Sequence, residues 1–141
     1  LTVGYEGRTV HWLIRLLTEN AVGVLVDVRE VPLSRKPGFS KAGLERALAN
    51  AGIQYVHIGS LGGPRDARIK LHKDGDYRAF FQAYGTHLQD QEEALRQVHE
   101  LLSEASICLM CYEAQPGKCH RIALAAVLER SHEVALEVVH R

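Results

Sequence analysis

Short apolar runs alternate along the chain with segments in which apolar residues recur every three or four positions. The runs at residues 1–4, 24–28, 53–58 and 106–110 predict strands, and the continuous apolar character of 24–28 predicts burial on both faces of a sheet. The periodic segments predict helices after Thr9, after Ser40, after Asp76, across Leu88 to Leu102, and over residues 119–130. A final strand is predicted over residues 134–139.

This order of elements predicts an α/β fold. Strands that alternate with helices are joined by right-handed crossovers, so the strands run parallel and helices cover the sheet. We therefore expect a three-layer sandwich of Rossmann-like outline, with a mainly parallel sheet and helices on both faces. The 141 residues are enough for one domain with a substantial core and too few for two ordinary ones. Residues 1–141 are predicted to form a single domain.

The loops that follow the predicted strands carry a concentration of positive charge. Parallel strands place these loops, at residues 5–8, 29–39, 59–75 and 111–118, along one edge of the sheet. Loop 59–75 is longer than an ordinary unstructured connection, so we expect it to be mobile and to border the site. The basic residues of this edge are Arg8, Arg29, Arg35, Lys36, Arg65 and Arg68, with Arg121 opening the last helix.

Two interpretations of this edge stay open. Arginine binds phosphate and carboxylate groups through two parallel hydrogen bonds, which favours an anion site built on Arg29, Arg35 and Arg121. Tyr5 and Arg8 in the first loop are further candidate ligand-binding residues. The other interpretation is a solvated basic rim that forms salt bridges with the acidic residues Glu6, Glu30, Asp66 and Glu113.

Charge and composition restrict the partners. Seventeen basic and seventeen acidic side chains cancel, so no global field draws the protein to nucleic acid or to an anionic membrane. No apolar run is long enough to span a membrane and no leader pattern is visible, so we expect a cytoplasmic protein with no membrane partner. Three cysteines do not make a disulfide framework and indicate reduced thiols. Cofactor and oligomeric state are left undetermined.

Residues 107–121 contain the most reactive groups, because a buried strand there ends in Cys111 and a helix begins behind Cys119-His120-Arg121. Cys111 is either a nucleophile whose thiolate is favoured by neighbouring positive charge, or a half-buried structural thiol. His120 is either an acid or base, or a donor to a nearby carbonyl. Cys108 should point to the opposite face of the sheet from Cys111.

Two further chemistries are considered for these residues. Cys111, Cys119 and His120 offer three zinc ligands, but no fourth ligand stands at a suitable spacing, and we predict no metal. Asp27 and Glu113, at strand ends, could perform acid–base work or hold Mg²⁺ against a phosphate. In the structural alternative, these carboxylates order a neighbouring arginine, because a buried guanidinium requires a carboxylate partner. The candidate catalytic residues are Cys111, Glu113, His120 and Asp27.

Ordered motifs run through nearly the whole chain. They are Thr2-Val3-Gly4-Tyr5, residues 25–29, residues 34–39, Tyr55-Val56-His57 with Leu61-Gly62-Gly63, Cys111-Tyr112-Glu113, and Cys119-His120-Arg121. Together they resemble the domain-of-unknown-function family 488 (DUF488). The resemblance implies a small α/β domain whose activity is not established. It implies as signature positions Asp27, Arg29, Cys111, Glu113, Cys119, His120 and Arg121, and Cys119 joins the ligand-binding candidates on this ground.

Two strand ends carry a second resemblance. Asp27-Val28-Arg29-Glu30 follows one strand, and a cysteine, a loop and an arginine follow another. This arrangement resembles rhodanese-like sulfurtransferases and cysteine phosphatases. The loop from Cys111 to Arg121 is longer than the anion cradle of those enzymes and contains a proline, which has no N–H to donate. The main hypothesis is therefore an anion-binding domain for a phosphate, nucleotide or nucleic-acid end. The alternatives are thiol chemistry at Cys111 and a non-enzymatic regulatory or binding module.

Overall fold

The structure, a computed structural model, describes residues 1–131 and 135–141. Four strands form one sheet in the order β1-β4-β2-β3, and every neighbouring pair is parallel. Their bounds are β1 Thr2–Gly4, β2 Val24–Asp27, β3 Gln54–His57 and β4 Ile107–Cys111. The central strands β2 and β4 are buried along their whole length, as continuous apolar runs require. The predicted parallel sheet is confirmed.

Two helices cover one face of the sheet. They are α1 (Val10–Glu19) and α2 (Lys41–Asn50). The fully buried side chains Leu13 and Leu17 of α1 and Leu44 and Leu48 of α2 share one core cluster with strand residues. The predicted start of α1 is confirmed, because the Thr9 hydroxyl accepts a hydrogen bond of 3.1 Å from the Trp12 backbone N–H.

The opposite face is covered by three helices, so the chain has the predicted three-layer α/β architecture. They are α4 (Tyr77–Gln89), α5 (Glu92–Glu104) and α6 (Arg121–Ser131). Helix α3 (Arg65–Asp74) precedes α4 in the chain. Tyr84 of α4, Val98 of α5 and Leu124 of α6 are fully buried in the second core cluster, against the other side of β2 and β4. Within the described residues, no helix has the length and apolar character needed to cross a membrane.

The expectation that residues 59–75 form a structureless loop is wrong. A short 3-10 helix at Gly59–Leu61 is followed by α3, whose first turn contains Asp66 and which ends at Gly75 with a left-handed φ of 65°. No residue of α3 is buried, so the segment lacks the apolar stripe by which helices are recognised in a sequence. Charged side chains in its first and last turns, which complement the helix dipole, and a glycine at its C-terminal cap stabilise it instead.

The predicted last strand is also wrong over residues 135–139, which form none, and Val134 lies outside the described residues. Within residues 135–141, an isolated parallel bridge joins His140 to Thr2. The Thr2 N–H donates to the Val139 carbonyl and the Arg141 N–H donates to the Thr2 carbonyl, both at 2.8 Å. Because β1 has only three residues, its outer edge offers little length for a further strand to pair with.

Candidate functional site

The carboxyl ends of the strands open into a cleft of about 1200 Å³. Its wall contains residues from the loops after β1, β2 and β4, from α3 and α4, and from the turn before α6. Six candidate residues of the sequence analysis line it: Tyr5, Arg29, Arg35, Cys111, Glu113 and His120. The structure therefore brings the main reactive candidates of three separate loops to one place, as parallel topology requires.

Four other candidates do not line the cleft: Asp27, Cys119, Arg121 and Arg8. Asp27, Cys119 and Arg121 are at most 1% exposed and lie behind the cleft wall. Arg8 is exposed and its guanidinium instead stacks on the Trp12 ring, 4.5 Å from the ring centroid. The expectation that Arg121 borders the cleft beside Arg29 is thus not met.

Asp27 holds Arg29 in a buried network. Asp27 Oδ1 accepts from Arg29 Nε at 2.8 Å, and Oδ2 accepts from Arg29 Nη2 at 2.6 Å. The Tyr55 hydroxyl donates to the same Oδ2 at 2.7 Å, while Arg29 Nη1 donates to Tyr5 Oη and to the Phe39 carbonyl. Protein groups thus occupy both carboxylate oxygens, and neither is available to a metal or substrate. This arrangement corresponds to the structural alternative for Asp27, in which the carboxylate orders a neighbouring arginine.

The network also controls protonation. Burial alone would lower the pKa of Arg29, but the hydrogen bonds and charge of Asp27 outweigh it and raise that pKa. Burial, together with the hydrogen bond to Asp27, raises the pKa of Tyr55. Arg29 therefore stays charged and Tyr55 stays a hydrogen-bond donor. Arg29 reaches the cleft with most of its N–H groups already engaged.

The two cysteines and the histidine of the reactive segment meet at the cleft wall. The Sγ atoms of Cys111 and Cys119 lie 3.8 Å and 3.9 Å from His120 Nδ1, and the three ligand atoms are all within 4.8 Å of one another. Glu113 Oε2 is 3.1 Å from Cys111 Sγ. On the other side of the ring, His120 Nε2 lies 3.3 Å from the Val28 carbonyl. A carbonyl only accepts, so Nε2 is the donor in that contact, and Nδ1 faces the sulfur atoms.

The two thiols of this cluster differ in acidity. The hydrogen bond from Cys111 lowers the pKa of Cys119, and His120 lowers it further against the effect of burial. The pKa of Cys111 is raised well above its ordinary value by its hydrogen bond with Cys119 and by burial. Burial and the charge of Cys119 also raise the pKa of Glu113. These shifts favour the thiolate on Cys119, behind the wall, and the protonated thiol on Cys111, at the cleft.

Cys108 is confirmed on the opposite side of the sheet. It belongs to the core cluster beneath α1 and α2, whereas Cys111 belongs to the cluster beneath α4, α5 and α6. Burial raises the pKa of Cys108 to about 12. Its spacing from Cys111 reflects strand packing and has no part in the site.

Arg121 supports the loop after β4. Its Nη1 donates to the Glu113 carbonyl, and its Nη2 donates to the carbonyls of Ala114 and Arg141 at 3.2 Å and 3.5 Å. Its Nε is buried and has no hydrogen-bond partner in the part of the chain that the structure describes. The guanidinium is therefore bound to backbone and does not form the anion cradle of a rhodanese or a cysteine phosphatase.

Two glycines allow backbone segments to approach the site closely. A Cβ on Gly4 would lie 1.8 Å from the Glu113 carbonyl oxygen and 2.9 Å from Arg121 Nη1. A Cβ on Gly62 would lie 2.5 Å from the Glu30 backbone nitrogen. Glycine at these positions lets the loops after β4 and β2 pack onto their neighbours.

Comparison with known families identifies the chain. The sequence model described as domain of unknown function DUF488 matches residues 9–128 of the 141 residues. The chain belongs to the DUF488 family. No curated protein and no solved structure matches it.

The seven residues that the resemblance implied as signature positions form two layers in this DUF488 chain. Arg29, Cys111, Glu113 and His120 line the cleft, while Asp27, Cys119 and Arg121 lie behind them and contact them or their backbone. Lys118 and Tyr112 also line the cleft, and the sequence analysis did not propose either as a site residue. The sequence signal that could have identified both residues is their position in the loop between Cys111 and Cys119.

Proposed function

We propose that this DUF488 domain binds a phosphate-bearing, nucleotide-like ligand, free or at a nucleic-acid end, in the cleft at the carboxyl edge of its sheet. One observation carries the proposal: the acidic side chains of the cleft are already engaged by protein groups, whereas three basic side chains of its rim are not. Charge that is free to pair with a ligand is therefore positive, although the chain as a whole is neutral.

Each acidic residue of the cleft has a partner. Glu6 Oε2 accepts from the Ala114 backbone N–H at 3.1 Å. Glu30 forms a salt bridge of 3.4 Å with Arg68, and Glu113 contacts the Cys111 sulfur. These contacts hold the acidic groups against the wall.

The basic rim is formed by Arg35, Lys36 and Lys118, and no salt bridge engages their side chains anywhere in residues 1–131 or 135–141. Arg35 and Lys118 are exposed and Lys36 is half-buried. Guanidinium and ammonium groups in this arrangement can approach a phosphate from several directions, and each charge-assisted hydrogen bond strengthens binding.

Apolar groups at the cleft favour a ligand with a base over inorganic phosphate. Among the described residues, the five exposed large hydrophobic side chains include Val31, Leu33, Tyr77 and Tyr112, and these four line the cleft. The Tyr112 side chain is 47% exposed, and its ring meets the Tyr5 ring edge to face at 5.4 Å. An aromatic ring supported from one side is a suitable surface for stacking a base.

The size of the cleft agrees with this ligand class. Its volume of about 1200 Å³ exceeds the range of about 300 to 1000 Å³ that is usual for small-molecule pockets. A nucleotide fits in this volume with room to spare, and so does the end of a nucleic-acid strand.

The proposal is tested by titrating the protein with a fluorescent nucleotide, a short single-stranded oligonucleotide and inorganic phosphate. We expect the first two to bind more tightly than phosphate, and replacement of Arg35, Lys36 or Lys118 by Ala to weaken binding by about tenfold, the effect of one charge-assisted hydrogen bond. Arg46→Ala removes an exposed cation outside the cleft and should change nothing. Equal affinities for all variants would contradict the proposal.

Analysis of the recovered ligand decides between the two classes of function. A chemically changed ligand would establish an enzyme, with Cys111, Glu113 and His120 as the residues facing the ligand. An unchanged ligand would establish a binding module.

Thiol chemistry at Cys111 is the second candidate, because Cys111 is the one of the three cysteines that lines the cleft. Its raised pKa opposes this function, since the thiolate is the nucleophile. Incubation with thiosulfate, followed by mass mapping, tests sulfur transfer. Attack on the outer sulfur of thiosulfate would break its S–S bond, release sulfite and leave a persulfide on Cys111. A gain of one sulfur atom on Cys111, absent in Cys111→Ser, would move this candidate ahead of simple anion binding.

A further inference from the structure

We propose that Cys111, Cys119 and His120 form a zinc site at the wall of the cleft. The sequence analysis predicted no metal because it found no fourth ligand. The structure supplies an arrangement in which a fourth protein ligand is not needed, since zinc sites that act on ligands commonly have three protein ligands and leave one position for water or substrate.

The distances in the cluster are close to those that zinc imposes. With Zn–S near 2.3 Å and Zn–N near 2.0 Å, tetrahedral geometry places sulfur and nitrogen about 3.5 Å apart and two sulfurs about 3.8 Å apart. The two Sγ–Nδ1 distances are 3.8 Å and 3.9 Å, and the three atoms lie within 4.8 Å of one another. Small side-chain rotations are enough to close the cluster around an ion.

The histidine is oriented as a zinc ligand. His120 Nε2 donates to the Val28 carbonyl at 3.3 Å, so Nδ1 is directed at the sulfur atoms. A ligand histidine usually gives its other ring N–H to a carbonyl or carboxylate, which fixes the tautomer and the ring plane. The Tyr84 ring meets the imidazole edge to face at 5.2 Å and restricts it further.

The surroundings give the site an open side. Cys119 is buried behind the wall, whereas Cys111 and His120 line the cleft. A ligand in the cleft can therefore reach the fourth position of the ion. Glu113, with Oε2 3.1 Å from Cys111 Sγ, lines the same wall of the cleft.

The donor set selects the metal. Two thiolates exclude the hard cations Mg²⁺ and Ca²⁺, which take oxygen ligands, and a thiolate and imidazole set suits zinc. The proposal does not depend on the basic rim, so anion binding and metal binding can fail separately.

The experiment uses the full chain without a histidine tag, purified under reducing conditions. Elemental analysis should find one zinc per chain. After the zinc is removed with a chelator, titration with Co²⁺ should give sulfur-to-cobalt charge-transfer absorption that saturates at one equivalent, with an intensity that corresponds to two thiolates. This measurement on the unmodified chain tests the proposal even if a variant fails to fold.

Variants then locate the site. Cys119→Ser should lose one thiolate of absorption and at least tenfold in Co²⁺ affinity, and His120→Gln should lose affinity to a similar degree. Cys108→Ser is the matched control, because Cys108 is an equally buried cysteine of the same chain on the other face of the sheet. Glu113→Gln should retain the metal. Absence of the charge-transfer band in the unmodified chain, or its equal loss in Cys108→Ser, would overturn the proposal.

Discussion

Asp27 and Arg29 form a two-bond ion pair inside the protein, with Arg29 Nε 2.8 Å from Oδ1 and Arg29 Nη2 2.6 Å from Oδ2. Asp27 is fully buried and Arg29 is 6% exposed. Two residues at the end of one strand thus neutralise each other and present the arginine at the edge of the cleft. A buried pair of this kind depends on both partners, because either charge alone is costly in the interior.

We predict that Asp27→Asn lowers the free energy of unfolding by about 3 kcal/mol or more, since it leaves the Arg29 charge buried and unpaired. Urea denaturation measures this change. Tyr55→Phe removes one neutral donor from the same carboxylate and should cost about 1 kcal/mol. Similar losses in the two variants would mean that the ion pair is not the main element of the network.

Arg121→Lys should destabilise the fold by an amount on the order of 2 kcal/mol, because lysine cannot reach the carbonyls of Glu113, Ala114 and Arg141 together. Nucleotide affinity of the folded variant should change less than in Arg35→Ala. Denaturation and ligand titration of both variants check this. A stable Arg121→Lys protein that has lost ligand binding would restore Arg121 as a direct anion ligand.

Gly4→Ala should displace the loop after β4, because the added methyl group would lie 1.8 Å from the Glu113 carbonyl oxygen. We expect a lower melting temperature and loss of the cluster geometry around Cys111. Gly117→Ala is the matched control in the same loop, since a Cβ there meets nothing within 4 Å. Wild-type stability in Gly4→Ala would show that the loop has another position available.

Attachment of the C-terminal segment should depend on pH through His140. Burial and the positive charge of Arg121 lower the pKa of His140, whose Nδ1 lies 2.7 Å from Thr2 Oγ1. His140 takes up a proton more readily when the segment is detached than when it is attached. Neutral His140 therefore stabilises the attached segment fully above the unfolded pKa of about 6.5, and this stabilisation is lost as the pH falls below it. Hydrogen exchange measures this through protection of the Arg141 amide, which donates to Thr2.

That protection should decrease between pH 7.5 and pH 5.5 after correction for intrinsic exchange, while the Val28 amide, bonded to Met110 in the sheet, keeps its protection. His140→Gln should remove the pH dependence. Equal behaviour of the two amides in the unmodified protein would contradict this account.

The sheet could be predicted because its central strands β2 and β4 are continuous apolar runs, and amphipathic helices connect the strands. The position of the cleft followed from the parallel topology. Helix α3 could not be predicted, since its stability comes from its ends and from no apolar face. The final strand was predicted wrongly over residues 135–139, because an apolar run does not show how long a sheet edge it will meet.

At the site, the sequence placed Cys111, Glu113 and His120 together because they flank one loop. It could not show that the turn at Pro116–Lys118 brings Cys119 back beside Cys111, because this depends on loop conformation. It also could not show which way the Arg121 side chain points. Because Arg121 lies near a strand end in the sequence, we expected it to bind the ligand. In the structure, three backbone carbonyls hold its side chain behind the cleft wall.

Binding of a nucleotide-like anion in the cleft with its basic rim can be observed residue by residue through amide chemical-shift mapping with a nucleotide. We expect saturable shifts concentrated at residues 34–36 and 112–118, reduced in a variant that replaces Arg35, Lys36 and Lys118 by Ala and unchanged by Arg46→Ala. Saturable shifts confined to surfaces away from these segments, or no shifts at millimolar nucleotide, would contradict it.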